Sequence, residues 1–159
     1  MRVDQVRVEG VTVYDQATIE RLYADLIGAT VARWRLGTVV EALQARYRAD
    51  GYILTVVRGQ TEIVNGRTVF VLRAIEGYVG SVELDGDTGP AGTLVYGFLD
   101  HLTSIPPVKN ADLERYLPLA QDVPGVTVRA VLRRIENEPG AVELIAQLSR
   151  KALQRILPV

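Results

Sequence analysis

Cysteine is absent from the 159 residues of this chain, which excludes a disulfide scaffold and thiol chemistry and is compatible with an oxidising compartment. Histidine occurs once, as His101, without the spaced nitrogen or sulfur partners that a zinc site needs, and it reads as a surface or boundary residue. Serine occurs only at Ser81, Ser104 and Ser149, none beside a recognisable base or in a nucleophile elbow. The 18 basic residues nearly cancel the 19 acidic ones, so the positive surface of a sequence-independent nucleic-acid binder is missing. No apolar run approaches the roughly 20 residues that span a bilayer as a helix. The N-terminus does not open on a basic segment followed by an apolar run, so no secretory signal is expected there. What the chain does have is a hydrophobic content of 48%, enough to bury a core in one ordinary domain or two small ones.

Two local patterns suggest ligands and read better as turns. Asp85-Gly86-Asp87 hints at calcium, but the further oxygen ligands of a calcium loop are absent. Gly77-Tyr78-Val79-Gly80 has the GxxG spacing of an RNA-binding KH module, where it joins two helices; here it follows a strand. Neither cofactor nor metal is expected, and no enzymatic activity.

The chain repeats itself weakly. Val6-Arg7-Val8-Glu9-Gly10 returns as Val82-Glu83-Leu84-Asp85-Gly86, and a helix end at Asp50-Gly51-Tyr52 has its echo at Pro124-Gly125-Val126. Each half then runs strand, helix, helix, strand, strand, with a boundary near Gly77 to Gly80. In the first half, residues 5–9 alternate as a strand, with Val6 and Val8 on one face. Asp15 is placed to cap a helix with the stripe Ile19, Leu22, Tyr23, Leu26 and Ile27, closed by Gly28. Thr38 with Glu41 makes a capping-box pattern. It predicts a second helix with Val39, Val40, Leu43 and Tyr47 inward, and Glu41, Gln44 and Arg48 outward. Trp34 then falls between the helices as a packing plug. Residues 53–58 and 67–75 read as β-branched hairpin strands.

The second half predicts strands over 79–84, 126–133 and 141–148. Between them lie a helix bearing Leu94, Val95, Phe98, Leu99 and Leu102, and another capped by Asn110 with Leu113, Tyr116, Leu117 and Ala120 inward. Pro118 falls inside that last helix, where it costs about 3 kcal/mol in an ideal helix. A kink or an early end is expected there.

The most informative stretch is Tyr47-Arg48-Ala49-Asp50-Gly51-Tyr52, followed by two apolar runs around Asn65-Gly66 and then Glu76-Gly77. Gly51 suits the left-handed position that ends many helices, and Asn65-Gly66 suits a turn with positive φ at both central residues. These residues resemble the POTRA modules of two-partner secretion transporters, the outer-membrane proteins that export filamentous haemagglutinins and haemolysins. In that family a helix ends in a similar Tyr-Arg-x-x-Gly-Tyr and the strand pair closes on a similar Glu-Gly. Asp122-Val123-Pro124-Gly125-Val126 looks like the family's Asp-Leu-Pro-Gly-Val entry to the penultimate strand. The resemblance covers roughly residues 3 to 149. Gly59-Gln60 stands where the family often has Pro-Gln, and Pro118 is a second departure.

The resemblance implies an α+β chain of two tandem POTRA modules. Each would be βααββ, with a three-stranded mixed sheet packed against two helices. It places the first module at 1–77, the second at 78–149, and a tail at 150–159 leading towards a barrel. Leu153, Ile156 and Leu157 of that tail could equally form a short helix. A complete transporter would add a plug helix, a linker and a 16-stranded barrel, so the chain is expected to be the periplasmic region of a larger outer-membrane protein. Its implied role is protein transport. It would capture an unfolded secreted passenger and guide it to its own C-terminal barrel, as in haemolysin activation, with no nucleic acid or small-molecule substrate. The alternative is a β-barrel assembly factor acting on barrel clients.

The family arrangement puts the third strand of each module in the middle and the second at an edge. An extended partner would add there by β-augmentation, through backbone bonds. The implied binding residues are Ile53, Leu54, Thr55, Val56, Val57 and Arg58 in the first module, and Val128, Arg129, Ala130 and Val131 in the second. Arg58 and Arg129 are also the residues that would blunt those edges.

Overall fold

A computed structural model of the chain describes residues 1–86 and 89–150. Asp87 of the turn and the tail residues Leu153, Ile156 and Leu157 lie outside the described residues. The chain divides into two units, Met1–Gly77 and Tyr78–Val159.

The first unit runs β1 (Gln5–Glu9), α1 (Gln16–Tyr23), a 3-10 turn (Ala24–Leu26), α2 (Arg33–Ala49), β2 (Val56–Val64) and β3 (Arg67–Ile75). Its sheet has the order β1-β3-β2, with β1 parallel and β2 antiparallel to β3. The hairpin closes at Asn65 and Gly66, both at positive φ, as a two-residue turn between facing strands requires. Asp15 caps α1, its carboxylate accepting from Thr18 N–H at 2.8 Å. Along α2 the buried residues are Leu36, Val39, Leu43 and Tyr47, one helical stripe set down on Phe70, Leu72 and Ala74 of β3. Each such side chain contributes roughly 1.5–3 kcal/mol of burial.

Helix α2 begins about six residues before the start that Thr38 and Glu41 suggest, with Ala32 rather than Thr38 at its N-cap. Thr38 lies inside it, with its hydroxyl donating back to the Arg35 carbonyl at 2.6 Å. Trp34 is therefore a first-turn helical residue, 71% exposed rather than a plug. Ile27 leaves the stripe expected of it, because the 3-10 turn ends at Leu26 and the chain extends from there.

The second unit repeats the plan: β4 (Tyr78–Asp85), α3 (Gly89–Asp100), a 3-10 turn (His101–Ser104), α4 (Asn110–Gln121), β5 (Val126–Arg134) and β6 (Ala141–Arg150). The sheet order is β4-β6-β5, and Val95, Leu99, Leu102, Val126, Val128, Leu144 and Ala146 are buried. Asn110 is the first residue of α4 rather than its cap; the Asp112 carboxylate accepts from Lys109 N–H at 3.0 Å instead. Pro118 does not end α4, which continues to Gln121. It sits on the exposed face near the helix end, where a missing N–H donor is tolerated better than in a helix middle. Its own carbonyl accepts from Asp122 N–H at 2.9 Å.

Candidate functional site

The edge strand of the first unit starts later and runs further than its sequence suggests. Ile53 and Leu54 form a turn, and Thr55 precedes the first paired residue, Val56. Those three expected edge residues are therefore not in the ladder. Their placement follows from the helix end: Gly51 at φ 89° reverses the chain, Tyr52 N–H donates to the Tyr47 carbonyl at 2.9 Å, and Thr55 N–H turns back to the Tyr52 carbonyl at 3.3 Å. Thr55 is 3% exposed, its hydroxyl accepting from Gly77 N–H at 3.2 Å. From Val56 the strand continues through Gly59 and Gln60 to Val64, nine residues in all.

Which backbone groups of β2 are free follows from the register. Val64 faces Arg67 across the two-residue turn, so Val64, Glu62, Gln60, Arg58 and Val56 bond inward to β3 and the alternate residues point away. Val57 N–H indeed leaves the sheet, donating to the Gln44 side-chain oxygen at 2.8 Å. The Gln44 amide nitrogen in turn donates to the Thr55 carbonyl at 2.9 Å. Gln44 is thus half-buried against the edge, not outward as its place on α2 suggested. The remaining outward groups belong to Gly59, Thr61 and Ile63, for which no hydrogen bond is seen among the described residues of the unit.

The two sides of β2 differ. Val57 is buried under α2, and Gly59 is kept small: a Cβ there would lie 2.6 Å from Val40 Cγ2 and 3.0 Å from the Phe70 ring. Further along, Ile63 is 80% exposed. On the opposite face, Arg7 of β1 reaches across β3 to Glu62 at 2.8 Å and also pairs with Glu9 at 3.0 Å. Glu9 pairs with Arg73 at 2.7 Å. The hydrogen bond from Arg73 holds the Glu9 carboxyl below its usual range, while Glu62 and Glu9 raise the Arg7 guanidinium. This chain of ion pairs crosses the central strand where Val69 and Val71 are buried.

The Tyr47 to Tyr52 segment and Glu76-Gly77 form one joint. Tyr47 OH donates to Glu76 at 2.7 Å, and Thr12 gives the same carboxylate its N–H at 2.9 Å and its hydroxyl. Tyr14 and Tyr52 meet the Tyr47 ring edge-on at 5.0 and 5.8 Å. Tyr14 OH donates to Asp50 at 2.6 Å, and Arg46 binds the same carboxylate oxygen at 2.9 Å. Burial first, then the Glu76 carboxylate, pushes the Tyr47 phenol well above its ordinary pKa; burial and Asp50 do the same for Tyr14. A Cβ on Gly77 would stand 2.4 Å from Leu54 Cβ and 2.5 Å from its carbonyl oxygen. These residues therefore set the helix end, the turn and the start of β2.

In the second unit β5 pairs with β6 alone among the described residues. Ile135 N–H bonds the Ala141 carbonyl at 3.0 Å, so by alternation Arg134, Leu132, Ala130 and Val128 point away from the sheet. Val128 is buried, Ala130 and Val131 are half-buried and Arg129 is exposed. Arg133 pairs with Glu143 at 2.6 Å. That guanidinium lowers the Glu143 pKa, and the neighbouring Glu83 is raised by its hydrogen bond with Glu143. In the first unit, at the sheet edge opposite β2, a cleft of about 410 Å³ between β1 and α1 is lined by Val6, Val8, Val11, Tyr14, Ile19 and Tyr23 among others; no motif in the sequence marks it. His101 stacks on Tyr116 with ring centroids 5.1 Å apart. Among the described residues no group of three or more His, Asp or Glu is placed to hold a metal ion, and no helix is long and apolar enough to cross a membrane.

Residues 1–77 match the family model described as POTRA domain, ShlB-type. CdiB from Escherichia coli shares the fold at a TM-score of 0.69 and 17% identity, over 95% of this chain and 27% of that one. The N-terminal domain of Omp85 from the thermophilic cyanobacterium Thermosynechococcus elongatus gives 0.68 at 23% identity, over 95% of this chain and 67% of that one. POTRA1-3 of the periplasmic domain of Omp85 from Anabaena gives 0.67 at 19%, over 95% and 66%. The chain thus spans little more than a quarter of CdiB, and at these identities the likeness speaks to fold. No curated protein matches the chain.

Proposed function

We propose that the chain is the periplasmic region of an outer-membrane transporter: residues 1–77 match the POTRA domain, ShlB-type model, and the second unit repeats the topology of the first. In this reading it captures an unfolded secreted passenger and passes it to a membrane barrel. The observation that carries the reading is the free edge of β2, where Gly59, Thr61 and Ile63 present unbonded backbone groups beside a helix. An extended polypeptide gains affinity there from main-chain hydrogen bonds, which are the same for any sequence. That suits a module that holds a chain and then lets it go. In this reading the partner would pair along residues 59–63 of module one rather than 53–58, and with the outward backbone groups of Val128 and Ala130 in module two. The ShlB-type match favours this role over barrel assembly.

The test is titration of the chain with the N-terminal domain of the passenger encoded beside its gene. Proline removes the outward N–H, so Thr61→Pro and Ala130→Pro should weaken binding strongly, and Thr61→Ala much less. Circular dichroism shows that each variant is folded. Unchanged affinity in both folded proline variants would sink the edge-strand reading.

A further inference from the structure

Resting on that reading, we infer that Gln44 is a built-in end-stop of the β2 edge, which fixes the register at which a partner strand enters. Its carboxamide donates to the Thr55 carbonyl at 2.9 Å and accepts from Val57 N–H at 2.8 Å. Those are the two bonds that one residue of an added parallel strand makes, to the residues flanking its opposite number. The edge is already holding an amide where a peptide strand would put one. Because Gln44 projects from α2, it closes the helix-end half of the edge. Pairing is left to begin at the Val57 carbonyl and Gly59 N–H and to run towards Ile63.

The geometry on either side fits an end-stop. Behind Gln44 the chain has turned away through Ile53 and Leu54 and presents no ladder. Ahead of it, Val40 lies one helical turn back on α2 and fills the place that a side chain on Gly59 would take. A partner strand therefore finds apolar contact beside Gly59 and none of the Gln44 bonds to displace. The occupant is an extended polypeptide segment of about six residues, the length that the rise per residue allows between Val57 and Ile63.

The experiment is amide hydrogen exchange by NMR on the full chain, with and without a blocked peptide of three Thr-Val repeats flanked by lysines. In the native protein the Val57 amide should exchange slowly without peptide, and peptide should slow Gly59, Thr61 and Ile63. In Gln44→Ala the Val57 amide should join the fast set, become protected only when peptide is added, and the peptide should bind about three- to tenfold tighter through the extra pair of bonds. Gln44→Glu, which keeps the acceptor and loses the donor, should leave Val57 slow and bind no more tightly than the native protein. If peptide protects the three amides equally in all forms while Val57 behaves alike in native and Gln44→Ala protein, the end-stop is wrong and edge capture stands. If no edge amide is protected in any form, both fall.

Discussion

Tyr47 and Glu76, 29 positions apart, meet with hydroxyl and carboxylate oxygens 2.7 Å from each other. The bond ties the last turn of α2 to the residue that follows β3. Thr12, on the chain leaving β1, donates to the same carboxylate. Three segments of the first unit are pinned at one carboxylate.

Tyr47→Phe removes the hydroxyl and keeps the ring between Tyr14 and Tyr52. Tyr47 is fully buried, so the loss of a bond to a charged acceptor should cost the first unit about 1.5–3 kcal/mol. Urea denaturation followed on that unit reads the cost directly. An unchanged midpoint would mean that the bond contributes nothing.

Gly51 sits at φ 89°, where a β-branched side chain is strained. Gly51→Val should destabilise the first unit by more than about 1 kcal/mol. Chemical denaturation with an unshifted midpoint would contradict this placement of the helix end.

Gly77→Ala puts a methyl group 2.4 Å from Leu54 Cβ. Backbone must move, so the expected loss is about 1–3 kcal/mol. Because Gly77 N–H also bonds the Thr55 hydroxyl, exchange of the Gly77 amide should speed up more than exchange in α1. Equal protection of both would argue against a local effect.

Acid should weaken the first unit. Bonds from Thr18 hold the Asp15 carboxyl below its ordinary 3.8, and Arg73 holds Glu9 below its ordinary 4.5. Lowered carboxylates contribute stability that is present above the unfolded values and lost as pH falls through the folded ones. The loss should therefore appear between about pH 5 and pH 3. In the second unit the raised Glu83 opposes the lowered Glu143, so its acid loss should be smaller. Denaturation midpoints across that range, with unit-resolved exchange, test both; Asp15→Asn with Glu9→Gln should flatten the first unit's profile.

What the sequence made legible were positions where backbone geometry restricts residue choice. Gly51 and Asn65-Gly66 fall where positive φ is needed, the alternation of residues 5–9 marks β1, and the β-branched run of residues 67–75 marks β3. Where a local pattern imitates a boundary, the reading slipped. Thr38 and Glu41 look like a helix start, yet α2 begins after Ala32, which offers no side-chain cap. Ile53 and Leu54 look like a strand, yet the bond between Thr55 and Gly77 folds them into a turn. Gln44 sits beside the apolar stripe, four residues after Val40, a hint that it borders the sheet. Its two bonds depend on where β2 passes, which no local pattern encodes.

The strand order has a consequence for how a unit comes into being. Among the described residues β1 and β2 each pair only with β3, the last strand of the unit to be made. As the chain emerges from its N-terminus, β1 has no neighbour to pair with until Arg67–Ile75 has followed it. The hairpin then forms across a two-residue turn, while β1 must close a loop of roughly sixty residues, the slower and entropically costlier step. A unit interrupted before β3 has no sheet at all.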